Sequence, residues 1–68
     1  MRLILYARGR MVAPDLRGVK GVRDTPHPGV VIEEGEPLCS IVLEGSDRRG
    51  VWLEGLRLAE SIYRMAGS

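Results

Sequence analysis

His27 is the only histidine of the chain and Cys39 the only cysteine. Both fall in the stretch DTPHPGVVIEEGEPLCSIVLEG, residues 24–45, which also holds three of the four prolines. An imidazole with Asp24 three residues before it and a thiol across a possible hairpin are the ingredients of a Cys–His nucleophilic pair. There the base activates the thiol and a third group orients the base. The local backbone argues against that use. Pro26 and Pro28 hold His27 in a surface turn, while Cys39 sits in the middle of an apolar strand, where a thiol stays protonated and inert. One histidine and one cysteine are also too few for a zinc centre, which takes about four ligands.

Other charged groups make weak sites. Glu33, Glu34 and Glu36 could approach a hard cation, but no array with calcium-loop spacing accompanies them, so a solvated acidic turn is expected. The nine glycines form neither G-x-G-x-x-G nor G-x-x-x-x-G-K-[ST], the two common phosphate cradles. Arg48 and Arg49 stand at the start of a predicted helix, whose free N–H groups could hold an anion; this is a weak anion site at most. No catalytic residue, metal ligand or cofactor is expected.

The elements that must position these groups are short. Residues 2–7, RLILYA, read as a strand with Leu3 and Leu5 on one face and Ile4 and Tyr6 on the other, which suggests burial on both sides. Residues 10–14 make a second short strand ended by Pro14. Residues 15–21, DLRGVKG, read as a loop, and 21–24 as a short strand. Pro26, Pro28 and Gly29 set one turn and Gly35 a second, because proline fixes φ and glycine accepts positive φ. Between them VVI (30–32) is a strand. Residues 37–44, PLCSIVLE, are the clearest strand, with Pro37 at its first position. Ser46 or Asp47 caps a helix of about 47–66, closed by Gly67. Trp52, Leu56, Ala59, Ile62 and Tyr63 form its apolar stripe, and Glu60–Arg64 an i,i+4 ion pair. Gly50 and Gly55 are costly inside a helix and suggest close approach to the sheet. The expected fold is one α+β domain over residues 1–68. It has a small, mostly antiparallel sheet or half-barrel of four or five short strands within 2–44, followed by one C-terminal amphipathic helix.

Composition narrows the function classes. At 68 residues the chain buries little surface and gains from association. Ten basic residues against nine acidic leave +1, and the only aromatics are Trp52, Tyr6 and Tyr63, so neither a nucleic-acid footprint nor a base-stacking platform is present. Nine of the ten basic residues are arginine. A lone cysteine fits a reducing cytoplasm. No apolar run approaches a membrane span, and MRLILYARGR is too short in its apolar core for a signal peptide.

Residues 29–41, GVVIEEGEPLCSI, resemble the half-motif of biotinyl and lipoyl carrier barrels. Those carriers need a lysine at a hairpin tip, and the only lysine, Lys20, lies before the half-motif without the usual flanking residues. Over nearly its whole length the chain resembles the C-terminal small domain of ATP-grasp carboxylate–amine ligases, of the tyramine–glutamate ligase-like type and its methylotroph relatives. The matching positions are Leu5–Tyr6–Ala7, Val12 and Pro14. Then come Asp24, Pro26, Pro28, Gly29, Ile32, Gly35, Pro37, Cys39, Val42 and Gly45, and finally Leu56, Ala59 and Ile62. The resemblance implies a half-barrel packed against a catalytic core. In that family, ATP, magnesium and the acyl phosphate are held by the preceding domains, so no catalytic residue is carried onto this chain. The expected function is a non-catalytic accessory or docking domain. The alternative is a free-standing small protein that binds a partner or dimerises. The expected partner is a protein, either the ligase core or a second copy, met through the sheet face or edge away from the helix.

Overall fold

The computed structural model describes residues 1–66. Five strands precede one helix: β1 (Arg2–Tyr6), β2 (Met11–Val12), β3 (Val22–Arg23), β4 (Val31–Ile32), β5 (Pro37–Val42) and α1 (Arg48–Met65). The strands form a three-stranded sheet in the order β1-β5-β3 and a separate two-stranded ladder, β2-β4. Every pairing is antiparallel. The α+β expectation is therefore met.

The β1–β5 ladder pairs Leu3 with Ile41 and Leu5 with Cys39, then slips so that Tyr6 faces Pro37 and Leu38 is the extra residue. A bulge suits this end, since Pro37 has no N–H to give the ladder. Backbone bonds carry the pairing past the strand ends. Leu43 donates to Met1 at 2.9 Å and Ala7 to Glu36 at 2.8 Å. The small ladder is likewise lengthened, by Ala13 donating to Val30 at 2.8 Å and Gly29 donating to Ala13 at 3.0 Å.

Among the described residues, four hydrogen-bonded tight turns each have glycine at the third position. Val30 donates to His27 across Pro28–Gly29, and Glu36 donates to Glu33 across Glu34–Gly35, at 3.3 and 3.1 Å. Gly29 and Gly35 have φ of +88° and +84°, the region glycine enters without a Cβ clash. These are the two turns expected from the sequence. The segment 15–21, expected as a loop, holds two consecutive turns. Val19 donates to Leu16 and Val22 to Val19, both at 3.2 Å, with Gly18 and Gly21 at positive φ. Their effect is to fold Leu16 into the core, where it is almost fully buried.

The helix begins at Asp47, whose side chain accepts the Arg49 N–H at 3.1 Å. Its last turn closes with the Ala66 N–H donating to Ile62 at 3.0 Å; Gly67, expected as the stop, lies outside the described residues. The buried side of α1 is Gly55, Ala59 and Ile62. This corrects the expected stripe: Trp52 and Leu56 are 50% and 43% exposed, and only its Ala59–Ile62 part is core. Gly55 does mark a close approach. A Cβ there would run into the end of the Met1 side chain and meet Leu43 at 3.7 Å. Gly50 does not, because its nearest neighbour is the capping Asp47 carboxylate at 2.9 Å. The Glu60–Arg64 ion pair expected from the sequence is not formed among the described residues, whose salt bridges are Arg2–Asp24, Arg10–Glu33 and Arg17–Asp15.

Met1 and Leu43 meet α1, so by strand alternation Leu3, Leu5, Cys39 and Ile41 share the face beneath the helix. Only β5 is buried on both faces, from Leu38 to Ile41. β1 is not: Ile4 and Tyr6 are 43% and 49% exposed, against the expectation of two-sided burial. β1 is also an edge strand of its sheet.

Candidate functional site

The groups that could have formed a nucleophilic site are held apart in character. His27 is exposed at the first position of the Pro28–Gly29 turn, with Pro26 just outside it. Asp24, its nearest carboxylate in sequence, turns to the Arg2 guanidinium instead, at 3.2 Å. Asp24 sits at φ +53°, a left-handed conformation that aspartate tolerates better than most residues. Cys39 lies on the sheet face under the helix and is buried. Loss of hydration on burial raises its pKa from 9.0 to about 11, so the thiol is protonated at neutral pH and is no nucleophile.

The acidic turn is occupied by its own backbone. The Glu36 side chain accepts the Glu33 N–H at 2.7 Å, and Glu33 pairs with Arg10 at 3.6 Å. Among the described residues, no three His, Cys, Asp or Glu side chains converge as a metal site would require. Arg48 and Arg49 do flank the helix start. However, the Arg49 N–H goes to Asp47, whose carboxylate already supplies the negative charge that this pole of the helix attracts. Lys20 is exposed at the second position of the Val19–Val22 turn, beside Glu54 and Leu43.

The sequence also gave no weight to Asp15 and Arg17. Two bonds of 2.9 Å join the guanidinium to both carboxylate oxygens, and the Arg17 N–H adds a third at 3.1 Å. These bonds hold the Asp15 carboxyl at about 2, below its usual 3.8. The pair is solvent-exposed and staples the first of the two turns in 15–21. The D-x-R spacing followed by two glycines three apart was the available signal.

Several large apolar side chains reach the surface. On the strands, Ile4, Tyr6, Val12, Val30 and Val31 are exposed, with Val12 and Val31 directly paired across the small ladder. On the helix, Trp52, Leu53 and Leu56 are exposed. Trp52 borders a cleft of about 480 Å³ with Met1, Gly45, Arg48 and Val51. Such a surface can exclude water against a partner, and aromatic side chains with arginine are common anchors in protein interfaces.

Comparison with protein-family models, with curated proteins and with solved structures finds no match to this chain. Among the described residues no helix is long and apolar enough to cross a membrane.

Proposed function

We propose that this chain is a non-catalytic docking domain that binds a protein partner through the strand surface away from α1. The observation that carries the reading is the set of exposed apolar side chains on strands, Ile4 and Tyr6 on the edge strand β1 and the Val12–Val31 pair on the small ladder. Contiguous exposed apolar surface on a small monomer commonly marks an interaction site. The resemblance to the C-terminal small domain of ATP-grasp carboxylate–amine ligases names the partner: the catalytic core of such a ligase, in the same polypeptide or supplied separately. The turn glycines, Pro37 and Cys39 that carry the resemblance act here as turn formers, strand start and core filler, roles that an accessory half-barrel requires. The reading carries a reducing cytoplasmic setting with it.

The test is calorimetric titration of the protein with an ATP-grasp catalytic core encoded in the same genome and lacking its own C-terminal segment. Binding that is lost in Ile4→Lys and Tyr6→Lys variants supports the role. These substitutions leave the Tyr6 carbonyl, which anchors the helix, in place. Tight binding of Mg·ATP by the isolated chain, or core binding that ignores both substitutions, overturns it.

A further inference from the structure

The outer face of α1 carries a pattern independent of the strand surface. Arg49, Leu53, Leu56 and Glu60 are separated by four, three and four residues. At 3.6 residues per turn they fall within a strip about 60° wide. This is the seam spacing of helices that pair side by side. All four are exposed, Leu53 by 47% and Leu56 by 43%. The strip lies well around the helix from Gly55, Ala59 and Ile62, so the chain's own core does not use it. Neither Arg49 nor Glu60 enters any of the salt bridges among the described residues.

We propose that this strip pairs with the same strip of a second copy, antiparallel, about a two-fold axis between Leu53 and Leu56. The strip is self-complementary in that arrangement alone. Its order is basic, apolar, apolar, acidic. An antiparallel mate therefore sets Arg49 against Glu60 at both ends and gathers four leucines at the axis. A parallel mate would set Arg49 against Arg49 and Glu60 against Glu60. Isologous contacts of this kind are the usual way two identical chains close. Opposed helix dipoles favour the same orientation. Trp52 flanks the seam and covers the edge of the leucine cluster. An 18-residue helix is about 27 Å long. One side of it offers less than the roughly 800 Å² per partner of a standard interface. The dimer is therefore weak, forming at micromolar concentrations or above.

Sedimentation velocity of the whole chain, from low micromolar into the hundreds of micromolar, reads the association. Emission of Trp52, the only tryptophan, follows the same range. The wild type should pass from monomer to dimer with a blue shift of that emission. Arg49→Glu alone and Glu60→Arg alone should each weaken association about tenfold or more, because each sets like charges at both ends. Mixing the two variants should restore association as heterodimers, and the double variant should restore it as a homodimer. Unchanged far-UV circular dichroism confirms that these exposed substitutions leave the fold intact. A wild type that stays monomeric throughout overturns the proposal. So does association indifferent to the charge changes, or single variants that fail to rescue one another. Since neither Ile4 nor Tyr6 is altered, the result is independent of ligase binding through the strands.

Discussion

The hydroxyl of Tyr63, near the end of α1, donates to the backbone carbonyl of Tyr6, the last residue of β1, at 2.8 Å. The Arg8 guanidinium lies 3.7 Å from the centre of the same ring. One side chain thus ties the C-terminal turn of the helix to the first strand, across 57 residues of sequence. Tyr63→Phe keeps the ring under Arg8 and removes the hydroxyl. It should cost about 0.5–1.5 kcal/mol, the usual net worth of such a bond. Tyr63→Leu, which also removes the cation–π contact, should cost more. Urea unfolding of the three proteins gives the ranking, and a Phe variant as destabilised as the Leu variant would contradict it.

Trp52 and Ile62 should separate sharply. Ile62 is fully buried and Trp52 is half exposed. Ile62→Ala should cost about 2–5 kcal/mol, which approaches the whole stability of so small a domain. Trp52→Ala should cost well under that and leave a folded monomer. Thermal unfolding by circular dichroism reads both, and loss of the fold on truncating Trp52 would show that it belongs to the core after all.

The turn glycines should rank by what a side chain would meet. Gly29 and Gly35 have open space around a Cβ but positive φ, so alanine costs about 1–2 kcal/mol from backbone strain alone. At Gly21 the same strain is joined by a Cβ contact of 2.9 Å with Leu43. Gly21→Ala should therefore be the most damaging of the three, measured by urea midpoint.

Cys39 gives the fold an alkaline limit. Its folded pKa, about 11, lies above its unfolded value of 9.0, because burial penalises the thiolate. The folded state thus holds its proton more tightly than the unfolded state. The contribution is complete below pH 9 and is lost as pH rises through 11. Stability should fall across that window in the wild type and fall less in Cys39→Ala, although the alanine variant is less stable at pH 7. At neutral pH a thiol reagent should label the native protein only as fast as it opens; rapid stoichiometric labelling without denaturant would contradict the burial.

Local chemistry was enough to read part of this protein from its sequence. Pro28–Gly29 and Glu34–Gly35 could only be turns, because proline and glycine restrict or permit φ whatever surrounds them. Residues 37–42 had to be a buried strand, since they are apolar on both faces and open on a proline. A cap at Ser46 or Asp47 and the helix behind it follow from side-chain hydrogen bonding and apolar period; the structure selects Asp47. The inert character of Cys39 follows from its apolar neighbours. Tertiary structure alone decided which side of that helix is inside. Apolar residues run most of the way around α1, from Leu58 and Val51 through Ala59 to Trp52, Leu56 and Leu53, so periodicity marks a broad arc and not a contact line. Packing selects the small-residue line Gly55–Ala59 with Ile62, because there the helix can settle onto Met1 and Leu43. The bulky Trp52 and the two leucines are left facing water, and with them the surface that a partner can use. The open face of β1 was equally hidden. What covers a strand's face is set by elements far apart in the chain, and no local rule tells an apolar strand with a layer on both sides from one whose second face lies open.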